Sequence, residues 1–319
     1  MFLEVVLLLV AFIAIWLSTG YVVESIKKLS SHSRFSSFSL SLFVIGVITS
    51  LPEVTVTVNS ILLKSPQIAL GNLIGTQIFL LFLVIPVLAI VSNGLHLHTE
   101  MKNRSVILTL LVALAPILAL LNQSLELLEA VIVLVLYALF AIIFSRHSTF
   151  LERITARIQQ TQKISVGWEF AKILCFLSIL FLASNTAVRE MIELAAFLQT
   201  PRFLLSLLIL PIGTNLPELS LALGSLAAGK KDLALADFMG ALTFNSLLIA
   251  VLALGSGGTI LIGQNISMVV IAFIVGIILF WWCCYSKKLL SIREGLLLLL
   301  VYLGILGIAV WQIMSGILR

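Results

Sequence analysis

Ten stretches of about 20 mainly apolar residues follow one another along this chain, and that is the length an α-helix needs to cross the hydrocarbon core of a bilayer. They cover roughly 3–21, 40–63, 68–91, 105–121, 125–144, 167–187, 203–228, 233–254, 267–285 and 295–318. Lipid offers no partner to a backbone N–H or C=O, so each stretch must satisfy its own groups as a helix. The expected class is therefore all-α, a polytopic membrane protein. Charge agrees with this: 10% of the 319 residues are charged and 61% are hydrophobic, against about 25% charged in an ordinary soluble domain. The first run carries Glu4 and no small-residue cleavage site, so it reads as a span and not as a cleaved signal.

A pI near 9.2 would point to nucleic acid in a soluble protein. Here the basic residues lie between spans, where they orient the bundle, and no nucleic-acid partner is expected. Of the 19 lysines and arginines, the side holding both termini collects only Lys64, Arg189, Arg202 and Arg319. Cytoplasmic loops carry the excess. Both termini are thus expected outside a plasma membrane, with the polar 145–166 loop in the cytosol. That loop reads as a solvated linker; the other reading is an interfacial helix with Leu151, Ile154 and Ile158 on one face. Cys175, Cys283 and Cys284 lie in apolar spans without metal spacing and read as core or lipid-facing residues.

The chain also repeats itself. TSLPEVTV at Thr49 returns as TNLPELSL at Thr214, and a shift of 165 also superposes Ser60, Ala69, Leu70, Gly75 and Phe79 on Ser225, Ala234, Leu235, Gly240 and Phe244. The same shift carries Glu4 to Glu169, Glu129 to Glu294 and Tyr137 to Tyr302. Coincidences at Pro, Glu, Gly and Tyr are far less cheap than coincidences at Leu. The expected organisation is a five-helix repeat over 1–144, a linker over 145–166 and a second five-helix repeat over 167–319. Five is odd, so the second half enters from the opposite side: an inverted repeat, as in many secondary transporters with a midplane site between the halves.

Each repeat places a glutamate directly after a proline inside a span. An ionised carboxylate there costs about 2.5–3.5 kcal/mol, and no Lys or Arg occurs mid-span to pair with Glu53 or Glu218. Pro52 and Pro217 lack the N–H that would bond Ile48 and Gly213, which leaves those carbonyls without partners. Unpaired backbone oxygen at that depth must be buried in protein or line a cavity. Carboxylates, carbonyls and hydroxyls form an all-oxygen set suited to hard cations such as Ca²⁺. On the following helix Asn72, Thr76 and Leu80 share one face, with Asp237, Ala241 and Asn245 as repeat partners. Asp237 is expected at the start of its helix, either as a cap or as an entry-path ligand. Gln77 and Thr243 are candidates for helix–helix hydrogen bonds, and Gly75 and Gly240 for close helix contact.

TSLPE followed by ALGNLIGTQIF resembles the first α-repeat of the cation/Ca²⁺ exchanger superfamily, which includes the sodium/calcium exchangers. GTNLPELSLAL and LALADFMGALTFN resemble the second, so the likeness covers essentially the whole chain. It implies ten spans in two inverted halves and alternating access, with two lighter spans sliding across an eight-helix core. It implies Glu53 and Glu218 as Ca²⁺ carboxylates, Thr49 and Thr214 as backbone-carbonyl ligands, and Ser50 and Thr76 in flanking Na⁺ sites. Asn215, Asn245 and Asp237 complete the candidate cation-binding set. The chain departs from the family pattern at Ile48 (Gly), Asn215 (Ser), Ala241 (Ser), Leu80 (Asn or Asp), and Gln77 and Leu242 (Asn); Asn245 is neutral where some members carry an acid.

The expected activity is cation antiport by alternating access, Ca²⁺ against Na⁺, with coupling altered by the depleted Na⁺ positions. Two readings stay open beside it. One is a Ca²⁺ or other divalent cation/H⁺ antiporter on the same scaffold. The other is a cation-binding sensor that does not transport. Inorganic cations and the bilayer are the expected partners, and no cofactor is expected beyond the transported Ca²⁺ and Na⁺ or H⁺. An enzyme is disfavoured, because no His/Asp, Ser/Lys or zinc-type spacing occurs within the spans and His32, His96, His98 and His147 all fall in loops. His96 and His98 read as polar surface or, alternatively, a metal pair. The sequence leaves open whether the protein is a monomer or a homo-oligomer.

Overall fold

The computed structural model describes residues 2–32, 48–96, 103–145, 165–227, 231–262, 266–287 and 289–317. The part of the second span before residue 48, His98, His147 and the interfacial-helix reading of the 145–166 loop lie outside them. The described residues are nearly all helical: α1 (Phe2–His32), α2 (Leu51–Leu62), α3 (Pro66–Phe79), α4 (Ile85–Val91), α5 (Asn103–Ala119), α6 (Leu127–Ser145), α7 (Val166–Phe197), α8 (Arg202–Thr214), α9 (Leu216–Ala227), α10 (Lys231–Gly255), α11 (Ser267–Lys287) and α12 (Ile292–Ile317). Five stretches are long and apolar enough to span a membrane: Phe2–Ile26, Pro66–Val91, Val166–Phe197, Asp237–Gly255 and Ile292–Ser315. The pair α8–α9 passes together across a 43° bend, and three shorter apolar helices join them. The protein is all-α and polytopic. Helices α1 and α7, at 31 and 32 residues, overrun the expected first and sixth spans. At 1.5 Å per residue α1 is about 46 Å long, so it crosses the bilayer with polar turns to spare.

Two short antiparallel ribbons show how the halves relate. Leu95–His96 pairs with Leu289–Leu290, and Ser124–Leu125 pairs with Ile260–Leu261. Shifting one strand forward and the other back by 165 turns one ribbon into the other: Leu95 opposite Leu290 becomes Ile260 opposite Leu125. Helix α5 lies between residues 96 and 124, so the ribbons sit at opposite ends of the bundle. An operation that exchanges the halves therefore also exchanges the two faces, which is inversion. The equivalent pair Glu129 and Glu294 caps helix starts: Glu129 Oε2 accepts from the Glu126 N–H at 2.8 Å, and Glu294 Oε2 from the Ser291 N–H at 2.8 Å.

The apolar packing divides unequally. One large cluster joins α3, α4, α5, α6, α8, α10, α11 and α12, with Phe82, Phe203, Phe238, Phe273 and Phe280 fully buried. Helices α1 and α7 lie against each other in a second cluster of Leu8, Ala11, Phe12, Ile15, Leu180, Ala183, Ala187, Val188 and Met191, which Val56 of α2, Ile68 of α3, and Leu205 and Leu210 of α8 also join. The Tyr21 and Phe176 rings stack at 4.4 Å. Close approach of α3 to α8 is written in glycine: a Cβ on Gly71 would strike Ser206 and the Phe203 carbonyl, and one on Gly75 the Leu207 carbonyl and Pro211. Gly75 thus permits helix contact as expected. Past Phe79 the helix takes a π turn over Leu80–Val84, with the Ile85 N–H bonding Leu80 O. Pro86 explains it, since proline cannot bond back to Phe82 and clashes with its carbonyl. The equivalent stretch of α10 has Val251 and stays α-helical.

Candidate functional site

Both expected breaks occur, and at equivalent residues. Ser50 (φ −84°, ψ 12°) precedes α2, and Asn215 (φ −94°, ψ 5°) separates α8 from α9. Beyond each, the ladder resumes symmetrically, Val54 N–H to Ser50 O at 3.1 Å and Leu219 N–H to Asn215 O at 3.0 Å. Pro52 and Pro217 enter at the first turns, where a missing N–H is tolerated. Their ring geometry favours a helix start there, which sets each glutamate one residue inside it.

Glu53 and Glu218 are both fully buried, and none of their four carboxylate oxygens has a hydrogen-bond partner among the described residues. Glu218 lies within electrostatic range of Glu53 and Asp237. The Thr214 hydroxyl sits near Glu53, but its hydrogen bonds run to Asn72 Oδ1 at 3.2 Å and Leu210 O at 3.2 Å. A native interior rarely leaves one buried carboxylate unsatisfied, because the desolvation penalty is large. Two such groups at equivalent places in the repeats are a demand for positive charge.

The surrounding hydroxyls and amides follow the repeat. Thr214 donates to Asn72, and the equivalent Thr49 donates to Asp237 Oδ1 at 3.4 Å. Asn215 Nδ2 donates to Thr76 Oγ1 at 2.9 Å and to Pro211 O at 2.8 Å. Thr49, Ser50, Thr76, Thr214, Asn215 and Asn245 are all fully buried, and Asp237 nearly so. The Ser50 hydroxyl, Asn215 Oδ1 and both polar atoms of the Asn245 amide lack partners among the described residues. All nine candidate residues thus lie in the protein interior on the two breaks and the helices that follow them.

Two expectations are corrected. Asp237 does not start its helix: α10 begins at Lys231, so Asp237 lies more than a turn inside and is no cap. The charged run Lys230–Asp232 makes the helix start look later than it is, because its first turn needs no apolar residue. Thr243 does not bridge helices; its hydroxyl bonds back to Met239 O and Gly240 O of its own helix. Gln77 does bridge, donating to Leu242 O at 3.4 Å and Ser246 Oγ at 3.2 Å. Leu242 is Gln77's own repeat partner, so this contact marks the pseudo-two-fold axis. Asn72 stood outside the candidate set, although its offset of 165 from Asp237 was the signal for it.

A family model described as "Sodium/calcium exchanger protein" matches the chain twice, over residues 3–146 and 168–311, in matches offset by the same 165. Curated relatives include the "Inner membrane protein YrbG" of Escherichia coli (strain K12), 23% identical over 292 residues and covering 88% of this chain and 90% of that one. The "Putative antiporter CaxA" of Alkalimonas amylolytica is 24% identical over 313 residues, covering 95% and 98%. Among solved structures, the sodium-calcium exchanger NCX_Mj soaked with Na⁺ and Sr²⁺ superposes with a TM-score of 0.63 at 17% identity, covering 95% of this chain and 97% of that one. The H⁺/Ca²⁺ exchanger CAX superposes with a TM-score of 0.73 at 14% identity, covering 98% and 87%.

Proposed function

Because the chain belongs to the sodium/calcium exchanger protein family, and so is a membrane antiporter of the Ca²⁺ exchangers, we propose that it exchanges one Ca²⁺ for two Na⁺ through a single midplane site. The observation that carries this reading is the pair Glu53 and Glu218, at equivalent places in the two repeats, buried and without hydrogen-bond partners among the described residues. Two carboxylates balance one divalent ion or two monovalent ions, so the Glu53–Glu218 pair is charge-balanced in either half of the cycle, with Asp237 as a further acid beside it. Ca²⁺ takes six to eight oxygens. The carboxylates, the Thr49 and Thr214 carbonyls at the breaks, and the Ser50 and Asn215 side chains supply oxygen without a charged competitor.

In this reading Thr76, Asn245 and Asp237 flank the centre, and the Na⁺ ions take the carboxylates together with the flanking oxygens. Leu80 and Ala241 offer no side-chain oxygen, which removes the ligands a third Na⁺ would need. The small α1–α7 cluster beside the large core supports alternating access with α1 and α7 as the moving unit. The positive-inside balance supports termini outside the plasma membrane.

The test is ⁴⁵Ca²⁺ uptake into proteoliposomes loaded with Na⁺, beside a set carrying only a proton gradient. Uptake that requires internal Na⁺, is lost in Glu53→Gln and carries no net current is the expected result. Uptake driven by the proton gradient alone would replace Na⁺ with H⁺ in the same two-carboxylate scheme. Binding of Ca²⁺ without exchange would leave the sensor reading instead.

A further inference from the structure

The repeat places two helix crossings at equivalent positions, α2 against α7 near the termini-bearing face and α9 against α1 near the opposite one. They are not equally closed. At the first, the Thr55 and Ser184 hydroxyls meet at 2.6 Å. Asn59 Nδ2 donates to its own Thr55 O at 2.9 Å and across to Phe181 O at 3.2 Å. Asn185 Nδ2 donates to Asn59 Oδ1 at 2.8 Å, and Arg189 Nε completes the chain on Asn185 Oδ1 at 2.8 Å. Thr55, Asn59 and Ser184 are buried.

The equivalent residues at the other crossing are Ser220, Gly224, Thr19, Gly20 and Glu24. Ser220 is exposed and meets only Trp16 Nε1 across the crossing, at 2.9 Å. A Cβ added to Gly20 or Gly224 would meet nothing within 4 Å. Glu24 pairs along its own helix with Lys28 at 2.6 Å. One crossing is therefore zipped by amides where the other has two glycines with open space at their Cβ positions, held by the Trp16–Ser220 bond and by Leu221 in the cluster of Val22, Val23 and Ile48.

We propose that Thr55, Asn59, Ser184 and Asn185 form a latch between α2 and α7, and that these positioning residues set which side of the membrane the carboxylates face at rest. The latch holds the site shut toward the termini-bearing face, and the glycine crossing leaves the opposite face as the open one. Sliding of α7 past α2 must break the two amide bonds across the crossing and the hydroxyl pair together. Losing one or two such buried neutral hydrogen bonds shifts the equilibrium about tenfold. The proposal rests on the alternating-access part of the functional reading, not on the identity of either ion.

The test reads sidedness directly. In a background of Cys175→Ala, Cys283→Ala and Cys284→Ala, two reporters are placed at equivalent depths, Ser60→Cys on α2 and Ser225→Cys on α9. An impermeant maleimide is added from the termini-bearing face for the first and from the opposite face for the second. Ser60 is buried and Ser225 partly exposed, so Ser225→Cys labels faster in the parent protein. Asn59→Ala and Asn185→Ala are each expected to speed Ser60→Cys labelling about tenfold and to slow Ser225→Cys labelling. A merely loosened fold would speed both. The converse variant, Gly20→Asn with Gly224→Asn, installs amides at the open crossing and should slow Ser225→Cys labelling by a similar factor. It decides the matter if the asparagine variants do not insert. Labelling within twofold of the parent in these variants overturns the latch. Because labelling needs no exchange, a protein with this pattern but no Ca²⁺ flux would sink the functional reading and leave the latch standing.

Discussion

On α3 the face that carries Asn72 continues with Thr76 and Leu80; on α10 the equivalent residues are Asp237, Ala241 and Asn245. The two broken helices are near copies of each other, yet the helices after them have diverged. The first half keeps the hydroxyl and loses the amide, while the second keeps the amide and loses the hydroxyl. The carboxylate that accepts from Thr49 corresponds to a neutral amide that accepts from Thr214. The pseudo-symmetry is therefore strict where the backbone must break and charge must be held. It relaxes where the neighbouring oxygen count is tuned. In the proposed reading, divergence of this kind separates a shared core site from the coupling-ion positions around it.

The sharpest way to test the strict part is to remove one carboxylate at a time. Glu53→Gln and Glu218→Gln each leave a single negative charge for a divalent ion, in a setting where water does not compensate. Both are expected to lower Ca²⁺ flux by at least about 100-fold, equivalent to about 2.7 kcal/mol. The two losses should match, since both side chains are equally buried and equally unpartnered. Flux retained in one variant alone would mean that the halves do not share a site.

Next in size is the packing that brings the halves together. Gly75→Ala sets a methyl against the Leu207 carbonyl and the Pro211 ring, and backbone cannot yield as a flexible side chain would. Overpacking of this order costs about 1–3 kcal/mol, read as a fall in the unfolding temperature of the purified protein. Gly224→Ala, where a Cβ has open space, is the matched control and should leave that temperature nearly unchanged.

The divergent part is tested by making the halves alike. Asp237→Asn converts the Thr49 end to the chemistry of the Thr214 end. The amide oxygen still accepts from Thr49, so what is lost is charge beside Glu218. Apparent Ca²⁺ affinity is expected to weaken about tenfold, since cation affinity in oxygen cages follows ligand charge. An unchanged affinity would place Asp237 outside the ion's field and leave it a structural partner of Thr49.

Much of this was legible in the sequence because its cause is local. Pro52 and Pro217 break the ladder wherever they stand, and an acid without a basic neighbour at the same depth has few uses. The repeat exposed both at once, and their offset gave the inversion by parity. What stayed hidden depends on pairs that no local pattern joins. Asn59 and Asn185 lie 126 positions apart, and comparison of the halves hides them further, since their partners are Gly224 and Gly20. The two-residue ribbons are too short for an alternation signal. The depth of Asp237 was misread because the polar start of α10 made the apolar run seem to begin later.

The smallest expected effect concerns the hydroxyl missing from the second half. Thr76 Oγ1 accepts from Asn215 at 2.9 Å, whereas its counterpart Ala241 leaves the equivalent Ser50 hydroxyl without a partner among the described residues. Ala241→Ser restores an oxygen there without adding charge. A single neutral oxygen contributes about 0.5–1.5 kcal/mol, so the Na⁺ concentration for half-maximal exchange should fall about threefold. If the alanine is also what limits the exchanger to two Na⁺, the Na⁺ dependence will steepen and Ca²⁺ uptake against internal Na⁺ will carry one net positive charge outward where the parent carries none. A lower half-maximal Na⁺ with no current would separate the two ideas: the hydroxyl would then strengthen an existing Na⁺ position, and Leu80 would be the residue that forbids the third ion.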